Sequence, residues 1–542
     1  MRARSTRLAS FSIGLLAFAF ASCDDGPSTI SFPASGSIAG DAGRGSFTFG
    51  AATAAMQIEE NQPASDWYWW TLPAAMGGKG NGTPVGDAVR GYSMAQSDIA
   101  LMQAMHLDAY RFNPSWPRIE PTRDNVDAAA LAHYRDYLVA LKAAGIKPMI
   151  TVHHFSSPIW VDDFRNPSTT PCVPSDTDLC GWDDDAGAQQ IIAELAEHAA
   201  LLAQQYGGYV DEWCTLNEPV NYLLASHGLG SFPPGKTSLI SELDLGGLVR
   251  AMRNYLKAHI AIYDAIRAND TMDADGDGDN ARIGLSLNSI AVVPTYDNAL
   301  SNEPADIAAA DRAFYAYHYL FPDSILNGTF DTNLDGTPDE THPEWNSTRR
   351  LDWLGVQYYS RQGVTSNTGG VPGLVFLGLA PCVPGNFDSI FHACVDPVDP
   401  THWVPSMGYE YYEEGVYEVL TKLHERYKNV GLPMTVTESG IAAEVGRRRS
   451  EHIVRSLEQI WRARQAGVDV RGYYHWSLMD NFEWAEGYEP HFGLYHVNAG
   501  AGDYTRTPTD GATMLGDIVG ARRLTGSVRS SYGGTGPMTP EP

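Results

Sequence analysis

The sequence predicts a single (β/α)8 (TIM) barrel with extended loops at the C-terminal ends of its strands. Three observations carry this prediction. Eight short β-prone runs alternate with helical patterns along the chain, as a parallel barrel requires. At 542 residues with 43% hydrophobic content, the chain can fill one large core, and single α/β barrels often exceed the usual length of a domain. No Gly-rich phosphate turn follows the first run, which disfavours a doubly wound open sheet.

The chain opens on "MRARSTR", with three arginines, and then the apolar "LASFSIGLLAFAF", too short to anchor stably across a bilayer. Residues 1–23 therefore read as a signal peptide. Its end, "FAFASC", resembles a bacterial lipoprotein cleavage site at Cys23, with Phe20 where Leu is usual. The expectation is an exported protein. It is either a periplasmic or cell-surface lipoprotein, attached to a membrane through lipidated Cys23, or an ordinary secreted one. Residues 24–45, rich in Gly, Ser, Pro and Ala, read as a flexible linker. The barrel domain is placed at 46–526, and 527–542 reads as a disordered tail.

The strand candidates are 47–52, 108–113, 147–154, 211–217, 282–288, 352–359, 434–439 and 471–479. Helical patterns at 131–145, closed by Gly145, and at 188–207 separate some of them. Cys172 and Cys180 lie eight apart in one loop, and Cys382 and Cys394 twelve apart in another. In an oxidising compartment each pair reads as a local disulfide, while Cys214 reads as a buried free thiol. A net charge of −28 excludes nucleic acid as a partner, since phosphate binding needs clustered Lys and Arg. It leaves a neutral carbohydrate open. The sequence leaves the oligomeric state open.

Chemistry in such a barrel belongs at the C-terminal ends of the strands. Two carboxylates stand there, Glu218 in "TLNEP" and Glu438 in "TVTESGI". A single Glu at a strand end is usually just solvated. Two on one rim suit glycosidic bond cleavage, in which one donates a proton and the other attacks or activates water. Gln57, Arg111, His154, Tyr358, Tyr359 and "HWSLMDNFEW" (475–484) reach the same rim. Each alone could be core or a satisfied turn, but together they point to a sugar site.

Several of these motifs, in this order, resemble the family 1 glycoside hydrolases, the β-glucosidase and β-galactosidase family. "TLNEP" is similar to the acid/base motif and "TESGI" to the nucleophile motif, with Ser439 where Asn is usual. "FTFGAATAAMQIE", "YRFNPSWPRIEP" and "WSLMDNFEWAEGYEPHFGL" resemble the family's first strand, second strand and closing signature. The resemblance runs from about Phe47 to Thr525 and implies a retaining, exo-acting β-glycosidase that needs no cofactor. A β-glucosidase with some β-galactosidase or β-fucosidase activity is the leading reading. It implies Glu438 as nucleophile and Glu218 as acid/base, with carboxyls about 5–5.5 Å apart. It places Arg111 and Tyr359 beside Glu438 and Asn217 on the sugar 2-OH. Gln57, His154, Glu483 and Trp484 would hold the other hydroxyls over a Trp476 floor. Glu483 disfavours 6-phosphorylated sugars by charge repulsion. The alternatives are an endo-acting cellulase-like barrel and a non-catalytic carbohydrate-binding protein on the same fold. The chain departs from the family at Glu60, Phe155, Gln357 and His491, the last standing where Arg or Lys is common.

Two acidic loops remain. "DADGDGDN" carries Asp273, Asp275 and Asp277, and "DTNLDGTPDE" carries Asp331, Asn333, Asp335 and Asp339. Their alternating spacing reads either as a structural calcium site or as a solvated acidic turn, on the face away from the catalytic rim. The Gly- and Pro-rich segment 362–405 follows the sixth strand and is expected to shape the aglycone side.

Overall fold

The computed structural model describes residues 27–166, 172–240, 245–383, 388–395, 401–499 and 502–541. The signal peptide and Cys23 lie outside the described residues. Eight parallel strands close into a barrel: β1 (Thr48–Ala52), β2 (Ala109–Phe112), β3 (Lys147–His153), β4 (Glu212–Asn217), β5 (Arg282–Tyr296), β6 (Trp353–Thr365), β7 (Met434–Ser439) and β8 (Val470–Trp476). Each pairs with its chain neighbour, and β8 returns to β1 through Gly472 opposite Thr48. No edge is left open. Strands β5 and β6 run past the rim as a parallel pair, from Ala291 opposite Arg361 to Pro294 opposite Val364, which lengthens both beyond their expected ends.

The helices form the outer layer: α1 (Ala95–Ala104), α2 (Ala128–Ala143), α3 (Asp185–Tyr206), α4 (Leu245–Asn269), α5 (Pro304–Phe314), α6 (Glu414–Tyr427), α7 (Gly446–Gln465) and α8 (Asp510–Ala521). Helix α2 starts before its expected 131 because the Asp127 carboxylate accepts from the Ala129 and Ala130 N–H groups. Its end coincides with Gly145, whose φ of 77° is easy for glycine. Among the described residues no helix is long and apolar enough to cross a membrane.

The expected flexible linker is instead part of the fold. Ile30 and Ser31 pair antiparallel with Leu524 and Arg523, and Phe32 packs against Phe47 and Phe49. Ile38 and Ala39 are fully buried with Ala109, Met149, Cys214, Trp353 and Tyr474, inward residues of the strands. They plug the barrel floor, and the Ile38 N–H donates to Glu212 at 3.1 Å. Composition conceals this because the packing is backbone-close: a Cβ on Gly43 would lie 1.6 Å from the Ser37 carbonyl oxygen. The tail is also ordered as far as described. Gly526–Tyr532 is helical, Met538 is buried, and the Thr539 N–H donates to Glu451 at 2.8 Å.

Both cysteine pairs are disulfides, and Cys214 is a buried free thiol. In the first acidic loop Asp275, Asp277 and Asp279 meet Lys147, Arg282 and Arg267. The second does not stay on the far face. Its hairpin, Thr329–Phe330 against Glu340–Thr341, turns back along α5, where the Leu334 carbonyl accepts from Arg312 at 3.0 Å. Asp331 is fully buried there, accepting from the Gly336 N–H at 2.7 Å.

A buried carboxylate gives a stability test. Asp66 Oδ1 accepts from Ser65 Oγ and from the Trp67 and Ser157 N–H groups, at 3.1, 2.7 and 3.2 Å. Burial nevertheless pushes its pKa up to about 7. The folded state therefore holds a proton that the unfolded chain, at about 3.9, releases. The stability that proton supplies is lost progressively as pH rises from about 4 to about 7, and is gone above it. In Asp66→Asn the amide oxygen keeps the three bonds and no charge can form. Its Tm should exceed that of the parent protein, with the gain growing from pH 5 to pH 8. A pH-independent change would contradict this origin.

Candidate active site

Strands β4 and β7 lift Glu218 and Glu438 into one cavity of about 270 Å³ at the C-terminal end of the barrel. His154, Asn217, Tyr359, Trp476, Glu483 and Trp484 line the same cavity, so eight of the ten residues expected from sequence meet there. The other two, Arg111 and Gln57, are fully buried and reach it through neighbours.

The surroundings of the two carboxylates differ. Glu438 Oε1 accepts from Arg111 at 2.5 Å and from Gln357 Nε2 at 2.8 Å, and Oε2 accepts from the Tyr359 hydroxyl at 2.7 Å. Among the described residues, Glu218 Oε2 accepts only from the neutral amide of Asn221, at 2.8 Å. Burial raises both pKa values, and Glu438 stays above the ordinary range, with Arg111 and Tyr359 offsetting part of its rise. Glu218 is held well above the ordinary range, by burial first and by the Glu438 charge second. Glu438 therefore loses its proton first, and Glu218 keeps one.

Asn217 Oδ1 accepts from Arg111 at 2.6 Å and from Gln357 at 2.8 Å. A guanidinium only donates, so this fixes the amide oxygen inward and leaves the Asn217 NH2 as a donor for a ligand. Gln57 Nε2 donates to Asn481 and Glu483, at 3.1 and 3.2 Å. Its Oε1 and the Nδ1 of His154 are buried with no partner among the described residues. Such orphaned polar atoms suit a hydroxyl-rich ligand. Burial and the Arg111 charge keep His154 neutral. Burial and the Glu438 charge push Glu483 up to about 8, so near neutral pH it is mostly protonated and the charge repulsion expected of it is weakened.

Three non-glycine residues at this cavity take left-handed backbone: Glu218 (φ 41°), Phe155 (φ 64°) and Trp484 (φ 43°). Such conformations are costly and tend to cluster where geometry serves a ligand. At Glu218 the turn from strand to helix is completed by Pro219, first residue of the helical turn Pro219–Leu223. The Asn-Glu-Pro spacing thus aims two adjacent side chains at one cavity.

Sequence reasoning missed Asn221, Asn288, Met407, Tyr409 and Phe492, which also line the cavity or touch its carboxylates. It took Gln357 as a departure, whereas its amide bridges Asn217 and Glu438. Among the described residues, segment 362–405 contributes no lining itself. Its own Trp403–Val404 pairs with Tyr409–Glu410 just beyond it, and Tyr409 lines the cavity.

Residues 41–523 match the profile described as Glycosyl hydrolase family 1. The chain belongs to this family. A β-galactosidase of Pyrococcus woesei is 28% identical over 505 residues, covering 83% of this chain and 92% of that protein. β-Glucosidase A of Thermotoga maritima is 29% identical over 474 residues, with 83% and 92% covered. The solved structure of a family 1 β-glucosidase from Thermotoga maritima superposes with a TM-score of 0.71 at 26% identity, over 88% of this chain and 98% of that one. This family 1 enzyme is therefore a β-glycosidase, a hydrolase acting on carbohydrate.

Proposed function

We propose that the enzyme removes a terminal β-linked sugar by double displacement, with net retention at the anomeric carbon. The observation that carries this reading is the unequal setting of the two carboxylates. Three donors hold negative charge on Glu438, while Glu218 remains protonated opposite it. Glu438 attacks the anomeric carbon and the glycosidic bond breaks, with the Glu218 proton passing to the departing oxygen. Glu218, now ionised, takes a proton from water, which attacks the same carbon and releases Glu438. Asn217 donates to the 2-hydroxyl, a contact that strengthens in the oxocarbenium-like transition state. Arg111, Gln357 and Tyr359 keep the nucleophile ionised. Gln57, His154, Glu483, Trp484 and Trp476 bind the sugar. No cofactor enters this sequence.

The limited volume of the cavity, about 270 Å³, supports an exo-acting enzyme rather than an endo-acting one. Both carboxylates and their supports are in place, which argues against a silent binding protein. The relatives named β-glucosidase and β-galactosidase support a gluco-configured sugar with galacto tolerated. The two disulfides and the leader-like N-terminus support export.

The test is intact mass after incubation with activated 2-deoxy-2-fluoro-β-glycosides of gluco, galacto and manno configuration. Fluorine slows both steps, and the good leaving group lets the glycosyl-enzyme accumulate. One added sugar on the peptide holding Glu438 is expected, fastest for gluco. No adduct with any of the three, together with no hydrolysis of chromogenic glycosides, would overturn the proposal.

A further inference from the structure

Asn221 reaches the acid/base carboxyl from the helical turn that follows it. Glu218 comes directly after β4, and Pro219–Leu223 winds one turn, closed by the Tyr222 N–H donating to the Glu218 carbonyl at 2.9 Å. Residues three apart on such a turn share a face, so the Asn221 amide returns over the Glu218 carboxyl. Its Nδ2 donates to Oε2 at 2.8 Å. The other oxygen, Oε1, has no hydrogen-bond partner among the described residues, and both residues line the sugar cavity. Glu438 differs, because donors hold both of its oxygens.

The titratable and charged groups that face Glu218 come from other strands and turns. They are Glu438 of β7, Arg111 of β2, Tyr359 of β6, Glu483 of the loop after β8 and Tyr317 of the turn after α5. Burial first and the Glu438 charge second raise the Glu218 pKa, and the Asn221 bond is the leading influence that lowers it, ahead of Arg111. An amide carries no charge, so Asn221 acts on Glu218 only through this bond. A carboxyl that serves as acid and then as base is neutral in one step and ionised in the next. With the NH2 turned toward it, Oε2 accepts in both states. With the amide reversed, Asn221 Oδ1 would need the proton on Oε2 and would confront bare negative charge once Glu218 ionised. The donor orientation alone serves the whole cycle.

We propose that Asn221 is a positioning residue that assigns the two Glu218 oxygens, keeping Oε2 an acceptor and leaving Oε1 to carry the proton. Under double displacement, on which this assignment rests, the Oε1 proton passes to the glycosidic oxygen as its bond to the anomeric carbon breaks and Glu438 bonds that carbon. In the second step Oε1 takes a proton from water. The water oxygen bonds the anomeric carbon, and the electron pair of the breaking bond returns to Glu438. Between the two steps Glu218 is ionised, so the Asn221 bond is then charge-assisted and steadies the base.

The experiment compares the pH profiles of the parent enzyme, Asn221→Leu and Glu218→Ala on aryl β-glycosides. Leu has nearly the shape of Asn and no donor. The alkaline limb missing from Glu218→Ala is the one that belongs to Glu218, which separates it from any limb due to Glu483. In Asn221→Leu that limb should move to higher pH, because ionised Glu218 has lost its donor. Turnover of dinitrophenyl glycosides, limited by the second step, should fall about tenfold, against about 10²–10⁴-fold for loss of the whole carboxyl. A Glu438 adduct with the activated 2-fluoro glycoside shows that the variant is folded with its nucleophile intact, and Asn221→Ala replaces Leu if that variant does not fold. A limb that stays in place overturns the inference, and so does one that moves to lower pH, which would put the amide oxygen on Glu218. A raised KM with limb and turnover unchanged also overturns it, making Asn221 an aglycone contact instead. A parent enzyme that gives no Glu438 adduct overturns the mechanism and this inference with it, whereas an adduct with an unmoved limb overturns the inference alone.

Discussion

Glu438→Gln should lower kcat on aryl β-glycosides by about 10⁴-fold or more, because an amide cannot attack the anomeric carbon. That factor corresponds to about 5.5 kcal/mol of lost transition-state stabilisation. Gln is nearly the same shape, so the cavity and its sugar contacts should persist, and sugar affinity should change only a few-fold. The substitution leaves Arg111 fully buried without its 2.5 Å carboxylate. Breaking a buried ion pair from one side costs about 3–5 kcal/mol, so Tm should fall as well. Steady-state kinetics and a thermal melt on one preparation separate the two effects. Hydrolysis within tenfold of the parent enzyme would remove Glu438 from the role of nucleophile.

Glu218→Ala should separate the two chemical steps by leaving group. Glycosides whose leaving oxygen needs a proton should lose about 10²–10⁴-fold in kcat/KM, the usual contribution of a positioned acid. Dinitrophenyl glycosides need no proton on departure and should react nearly as fast in the first step, stalling at the second. Azide needs no deprotonation and can enter the space the carboxylate vacates. It should restore turnover on the activated substrate and give the β-glycosyl azide. The parent's kcat/KM should fall as pH rises through the elevated pKa of Glu218, since the neutral form is the donor. That alkaline limb should be absent in the variant. A loss equal for all leaving groups, with no effect of azide, would contradict the acid/base assignment.

Legibility in the sequence followed the physics of each part. The eight strands were readable because parallel barrel strands are buried on both faces and appear as short apolar runs between turns. Glu218 and Glu438 were readable because each ends such a run. Asn221 was not, since its relevance depends on one helical turn bringing it back over Glu218. Gln357 looked like a disturbance because spacing along a strand cannot show which neighbour an amide will reach. Tyr409 comes from an excursion whose path no periodicity encodes. The N-terminal segment misled most. Residues 24–45 have the composition of a tether, yet Ile38, Ala39 and the close backbone around Gly43 seal the barrel. Small residues can mean freedom or tight approach, and only the partner surface decides which.

That seal also sets the direction in which the enzyme faces. Ile30 is already docked beside Leu524, at the end of the barrel opposite the sugar cavity. Anything joined to the chain ahead of it, whether an acyl group, a resin or a fused domain, attaches on the closed side. Soluble glycosides then reach the mouth unobstructed, while the support is screened by the full depth of the barrel. A handle placed at the N-terminus thus gives an outward-looking catalyst with no engineering of the mouth.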